Sequence, residues 1–303
     1  MRYRKKFVVE SGKKVHLDKI DPSYTARHES HEHAMPEIQE HLARMDKLQY
    51  LLYADGDQSL LVVLQGLDAA GKDGVVRHLF SGMNPQGTSV FGFKQPRKEE
   101  ATHDFLWRVH QHTPGKGELV IFNRSHYEDV LVVRVHKLAQ KPVWSRRYEL
   151  INDFEKMLSG NGTRILKFFL HISPEQQLSR FKLRLDDPAR NWKISDADYS
   201  ERELWPEYIK AYEDALQLSS SSYAPWFIIP ANHKWFRNLA ISEIIADTMS
   251  EMGLKLPPAH VNMQDIRNKY HAAEEKQTGK TSGKVNLQNN KSKKIKQSKG
   301  TYN

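Results

Sequence analysis

Gly66-Leu67-Asp68-Ala69-Ala70-Gly71-Lys72 fits the pattern G-x-x-x-x-G-K. Residues of these types at this spacing suit a phosphate group. Glycines let a loop turn so that successive backbone N–H groups point inward. The helix that follows adds the positive end of its dipole, and a lysine adds a mobile full charge. The candidate phosphate contacts are Ala69, Ala70, Gly71, Lys72, Asp73 and Gly74, with Arg77 one turn further on. Position 73 departs from the usual form, in which a Ser or Thr hydroxyl binds Mg²⁺; here it is Asp73, and Asp68 lies inside the loop as well. Two carboxylates beside phosphate repel it by several kcal/mol at ~4 Å in a partly buried site. The loop therefore calls for one or two Mg²⁺ ions between carboxylate and phosphate, with Mn²⁺ as a substitute. The plainer alternative for Asp68 is a turn-stabilising side chain.

A second group stands at Asn123-Arg124-Ser125-His126-Tyr127-Glu128-Asp129. Phosphate-loop enzymes place an acidic residue at the end of a second strand to anchor Mg²⁺. Asn123 occupies that place and brings no charge; Glu128 and Asp129 come one to two turns later. On a helix these two point about 100° apart, one toward the reaction centre and the other toward a neighbouring pocket. They could also be no more than first-turn charges favouring a helix N-terminus. Arg124 sits where open α/β sheets put their ligands, and its planar fork suits a pair of phosphate oxygens. His126 reads as structural, because phosphoryl transfer needs little proton chemistry.

The elements that must hold these residues are legible in the hydrophobic pattern. Ile38, Leu42, Met45, Leu48 and Leu52 recur at helical steps between Pro36 and Tyr53, and Asp55-Gly56 stops them. Ser59 to Leu64 is a continuous apolar run, as in a strand buried on both faces. Val75 to Gly82 reads as the helix after the loop. Thr88–Phe93, Leu119–Phe122, Arg164–His171 and Trp226–Pro230 read as further strands. Glu99–His112, Val143–Leu158 and Trp235–Met252 read as helices, and Ser173-Pro174-Glu175-Gln176 is a strong helix start. Strands alternating with helices give an α/β fold with a parallel sheet covered on both faces. Residues 1–34, polar and rich in His, read as a weakly structured N-terminal extension to a domain over 35–257.

The chain has 303 residues and a net charge of +9. From Val261 onward ten Lys and Arg face three Asp and Glu, so that stretch carries +7 of it. The basic character belongs mostly to a tail, 258–303, expected to be disordered and solvated, with loose affinity for polyanions. No cysteine is present, which excludes thiol catalysis, disulfides and thiolate metal sites. No two histidines show the H-x-x-x-H spacing, so no zinc site is expected. No apolar segment suits a signal peptide or a membrane span, and a cytoplasmic location with no membrane partner is the simplest expectation.

Gly66 to Gly74 and Phe122-Asn123-Arg124-Ser125-His126-Tyr127-Glu128-Asp129-Val130 closely resemble the polyphosphate kinase 2 family. Leu106-Trp107-Arg108-Val109-His110, Arg184-Leu185-Asp186-Asp187-Pro188 and Tyr223-Ala224-Pro225-Trp226 add to the likeness, which spans about residues 15–255 and stops short of the tail. The resemblance implies a thymidylate-kinase-like P-loop fold, a three-layer sandwich with a helical lid. It implies reversible, Mg²⁺-dependent transfer of a terminal phosphoryl group between inorganic polyphosphate and an adenine, or guanine, nucleotide. By position, Asp68, Lys72, Arg124 and Asp129 look catalytic, with Asp68 and Asp129 holding the metal. Asp68, Asn123, Arg124, Glu128 and Asp129 look nucleotide-binding. Glu128-Asp129 resembles the single-domain class that accepts both AMP and ADP. The stretch 184–199 resembles the lid, whose Arg184, Arg190 and Lys193 would contact the phosphate chain as it closes.

Two other readings compete. An ATP-dependent nucleotide or nucleoside monophosphate kinase shares the fold, but Asp73 and Asn123 speak against it. A non-enzymatic binder of polyanions such as RNA would work through the tail, which offers only Tyr270 and Tyr302 for stacking, so no specific nucleic-acid partner is expected. A homo-oligomer, dimer or tetramer, is the expected assembly.

Overall fold

A computed structural model describes residues 3–278. It divides into two units, 1–256 and 257–303. The first is built on five parallel strands: β1 (Ser59–Gln65), β2 (Thr88–Gly92), β3 (Leu119–Asn123), β4 (Thr163–His171) and β5 (Trp226–Pro230). Their order in the sheet is β2-β3-β1-β4-β5, all pairs parallel. The unit's helices of eight residues or more are α1 (His31–Asp55), α2 (Lys72–Phe80), α3 (Lys141–Gly160), α4 (Pro174–Asp186), α5 (Asp196–Glu203), α6 (Trp205–Ser219) and α7 (Lys234–Glu251).

Every residue of β1 is buried, because helices cover both faces of the sheet. Strand alternation divides the apolar residues between two cores. Leu60, Val62 and Leu64 pack with Leu42 and Met45 of α1, Val75 of α2 and Ile241 and Ile245 of α7. Leu61 and Val63 pack with Ile151 and Phe154 of α3 and Ala211 and Leu216 of α6. The chain leaves β1 toward β2 and β3 on one side and later returns to β4 on the other. The carboxyl end of β1 is therefore the point where the strand order reverses, the crevice in which such sheets bind ligands.

In the first unit three expectations change. The helix expected over Glu99–His112 is two short turns, Glu100–Thr102 and Trp107–His110. Asp104 Oδ1 accepts hydrogen bonds from the backbone N–H of Leu106 and Trp107 at 2.9 and 3.1 Å, a local turn that displaces the helix ladder. The first helix begins at His31 rather than Pro36, because Ser30 caps it by accepting from the His33 N–H. Residues 3–30 are not weakly structured. Tyr3 and Phe7 lie one helical turn apart, are both buried and pack edge-on against Phe236. Val8 bridges Phe227, and the Val9 N–H donates to the Trp226 carbonyl at 2.8 Å, which covers the open edge of β5.

In the second unit, residues 263–278 are helical and exposed throughout, where the tail is expected to be disordered; the remainder of that expectation, 279–303, lies outside the described residues. No helix among the described residues is long and apolar enough to cross a membrane.

His78 of α2 packs against α7, its Nε2 2.9 Å from Ser242 Oγ. Burial, with Arg237 nearby, pulls its pKa down to about 4. The unfolded chain takes up a proton near the ordinary histidine value, about 6.5, while the folded chain does so only near 4. Stability is therefore lost as pH falls between those values, by on the order of 3 kcal/mol from this one group. Urea midpoints at pH 7 and 5 should show it, and His78→Gln should flatten the slope. An unchanged slope in that variant assigns the acid loss to other groups.

Candidate active site

The loop Gly66–Gly71 joins β1 to α2 at the crevice. Its turn depends on left-handed backbone at Ala69 (φ 60°) and Gly71 (φ 101°). At Gly71 that φ disfavours any side chain, and a Cβ would also have to push aside the Arg237 guanidinium, which packs against this position. Lys72 is buried, and its Nζ donates to the carbonyls of Gly66 and Leu67 at 2.6 and 3.3 Å. Burial pulls the ammonium down from its ordinary value, offset first by Asp68.

Arg124 follows β3 with φ at 64°, a strained position for a non-glycine residue. Its backbone N–H donates to Leu64 O at 3.1 Å, pinning the turn to the end of β1. Its guanidinium meets Asp68 Oδ1 at 3.0 Å. Asn123 Nδ2 donates to Asp73 Oδ1 at 2.9 Å, so Asn123 holds the loop carboxylate in place of supplying one.

Glu128 and Asp129 lie on a tight turn, His126–Asp129, and they diverge. Glu128 shares the field of Arg124, Lys72 and Asp68 and bonds to Gln65; burial raises its carboxyl despite the two cations. Asp129 faces the other way. Its Oδ1 lies 3.0 Å from Arg147 Nη1 and its Oδ2 3.7 Å from Arg108 Nη2, and burial raises its carboxyl too. Asp68 and Asp129, expected to hold a metal together, have different partners here: Asp68 meets Arg124, while Asp129 stands between Arg147 and Arg108 with its Oδ2 lacking a hydrogen-bond partner, and Glu128 shares the field of Asp68.

That turn rests on a buried polar network. The Glu155 Oε1 carboxylate oxygen accepts from the Tyr127 hydroxyl at 2.9 Å and faces His126 Nε2 at 3.1 Å. Lys167 Nζ is bonded to Glu155 Oε2, to the Tyr127 hydroxyl at 2.9 Å and to Ser219 O at 2.7 Å. His126 is buried in this network, in keeping with the structural reading that phosphoryl transfer, needing little proton chemistry, suggests.

The residues expected on a lid separate likewise. Lys193 reaches the loop, its Nζ 3.8 Å from Asp73 Oδ2. Arg184 does not: its Nη1 is held by Lys193 O at 2.9 Å and Asp198 Oδ1 at 3.1 Å, bracing the segment 184–198 from inside. Arg190 pairs with Asp187 at 2.8 Å on the surface. Arg77 is exposed on α2.

Two arginines that the motifs do not mark complete the site. Arg180 of α4 donates through Nη1 to the carbonyls of Ala69 and Ala70 at 2.7 and 2.9 Å. Arg237 of α7 lies against Gly71 and Gly74. Among the described residues neither has a carboxylate within ion-pair distance, and burial pulls them to about 10 and about 9. The loop is thus backed by buried cations short of an anion. The only trace of them in the sequence is that each lies on the helix following a strand of the sheet.

The comparisons with known proteins agree with this geometry. The family model for polyphosphate kinase 2 matches residues 28–257. The chain belongs to the polyphosphate kinase 2 family. It is 48% identical to the AMP/ADP-polyphosphate phosphotransferase of Meiothermus ruber over 86% of this chain and 98% of that one. It is 44% identical to the ADP-polyphosphate phosphotransferase of Rhodopseudomonas palustris, over 84% and 92%. The crystal structure of polyphosphate kinase 2 from Arthrobacter aurescens TC1 superposes with a TM-score of 0.86 at 37% identity, covering 90% of this chain and 97% of that one. As a family member the chain is a phosphotransferase with a P-loop kinase fold, and the tail after 257 lies outside the family match.

Proposed function

We propose that this polyphosphate kinase 2 transfers the terminal phosphoryl group of inorganic polyphosphate to AMP and to ADP, reversibly. The observation that carries the reading is the shortage of anions behind the loop. Among the described residues the guanidiniums of Arg180 and Arg237, buried behind the loop, have no carboxylate within ion-pair distance, and a polyanionic chain supplies that charge.

The chain's own residues divide the work. Backbone N–H groups of Ala69 to Gly74 and the Lys72 ammonium hold the phosphoryl group being transferred. Arg124, placed by its strained turn, spans donor and acceptor and stabilises charge on the equatorial oxygens. An oxygen of the nucleotide phosphate attacks in line, and no side chain need remove a proton, since that oxygen is already anionic. Asp129, steadied by Arg108 and Arg147, orients the acceptor side, and Lys193 on the lid closes over the loop at Asp73. The oxygen donors of Asp68 and Glu128 fit Mg²⁺, which when bound would neutralise the phosphate charge these carboxylates repel. The compartment that holds these nucleotides with Mg²⁺ is the cytoplasm. Val143, Leu150 and Met157, exposed at heptad spacing along α3, suit contact with a second copy of the chain.

The test is nucleotide formation from AMP and, separately, from ADP, with long-chain polyphosphate and Mg²⁺ as the only additions. ADP and ATP formed from AMP establish both acceptors. ATP from ADP alone removes the dual reading of Glu128 and Asp129. Product only when ATP replaces polyphosphate overturns the proposal.

A further inference from the structure

Away from the loop, α1 and α7 meet at a cluster of ligating side chains. Glu37 and His41 lie one helical turn apart on α1, and Glu243 faces them from α7. One carboxylate oxygen of each glutamate and Nε2 of His41 lie within 4.8 Å of one another. His41 Nε2 stands 3.8 Å from Glu37 Oε1 and 4.0 Å from Glu243 Oε2. His41 is 6% exposed, and its Nε2 has no hydrogen-bond partner. His28, 7% exposed, is in the same condition, its Nε2 3.1 Å from Glu37 Oε2 without hydrogen-bond alignment.

A histidine bridging carboxylates for stability alone would bring an N–H to within about 3.2 Å of an oxygen. His41 Nε2 reaches neither. Two ligands bound at about 2.1 Å to one ion stand about 3.4 Å apart at a tetrahedral angle and about 4.2 Å apart when opposed. The separations of 3.8 and 4.0 Å fall between those limits. Burial pulls the His41 imidazole toward its neutral form, the form that ligates.

We propose that Glu37, His41 and Glu243 bind a divalent transition-series cation such as Zn²⁺, with His28 steadying the outer oxygen of Glu37. One imidazole nitrogen with two carboxylates favours such a cation over Mg²⁺, which takes oxygen ligands. Binding puts the His41 proton on Nδ1, which now faces Arg44 Nη1 at 3.4 Å. Arg44 then turns fully to Asp247 and Ser250, which already hold its Nη2 at 2.9 and 3.3 Å. The ion would staple α1 to α7. It would also secure the N-terminal turn, because Glu243 Oε1 accepts the Tyr3 N–H. The site lacks H-x-x-x-H spacing because it takes Glu-x-x-x-His from one helix and a third ligand about 200 residues away.

The full chain is stripped of metal with a chelator and titrated with Co²⁺ while Mg²⁺ saturates the phosphate-loop carboxylates. One equivalent should give visible d–d absorption, and Zn²⁺ should displace it and raise the melting temperature by several degrees. His41→Ala should abolish both effects and leave polyphosphate-dependent turnover in Mg²⁺ intact. His16→Ala, in the exposed cluster with Asp18 and Glu213, should abolish neither. If His41→Ala does not fold, the near-isosteric Glu243→Gln gives the same reading. No Mg²⁺-resistant Co²⁺ signal in the wild type overturns the site, as does a signal that survives either substitution of a ligand.

Discussion

Lys72→Met should lower kcat by about 10²- to 10⁴-fold while leaving the fold intact. The magnitude is that of removing a donor aimed at developing charge in a water-poor site. Lys72 is the one ammonium buried inside the loop among the described residues, and it marks time on the carbonyls of Gly66 and Leu67. Those carbonyls lie in its own turn, so the ammonium can swing onto phosphate without unfolding anything. The burial that pulls its pKa down also makes the charged form costly in the free protein. The variant should therefore melt no lower than the wild type, a trade of stability against activity common at such sites. Turnover within a factor of three of wild type would remove Lys72 from the reaction. A fall in melting temperature in step with the lost activity would mean that its role is to hold the loop.

The second large effect is on stability. Lys167→Met leaves the Glu155 carboxylate buried, with His126 and the Tyr127 hydroxyl as its remaining partners. Breaking one side of a buried ion pair costs about 3–5 kcal/mol, because the other charge stays uncompensated. Both residues are fully buried, so solvent cannot make up the loss. Adding Glu155→Gln should recover part of it, since the amide oxygen can still accept from Tyr127. The turn His126–Asp129 stands on this network, so turnover should fall with Lys167→Met and return partly in the double variant. Urea unfolding of the three proteins measures the effect. A single variant within 1 kcal/mol of wild type, or a double variant worse than the single, would show that the network does not carry the turn.

The elements whose signal is local were legible in order along the chain. Strand β1 is a continuous apolar run because helices cover both its faces, and α4 announces itself through Ser173 and Pro174 because a cap is a contact between near neighbours. The loop was legible for the same reason: its glycines answer to backbone geometry a few residues long. Expectations failed where a neighbour distant in sequence or a competing local bond decided. Residues 3–30 look polar, yet Tyr3 and Phe7 find Phe236, and Val8 and Val9 cover the edge of β5. Glu99–His112 has a helical pattern, but Asp104 captures the backbone first.

The sequence by itself determined the strand–loop–helix that presents Lys72, the parallel α/β sheet and the family, because each depends on residue types at short, regular spacings. Only the tertiary structure decided which carboxylate faces the loop. Glu128 and Asp129 are adjacent in sequence, and what separates them is Arg124 with Lys72 on one side and Arg108 with Arg147 on the other. It alone placed Arg180 and Arg237 behind the loop and turned Arg184 inward to Asp198. The work a charge does depends on which opposite charge lies within a few ångströms, and the chain path through the sheet sets that distance.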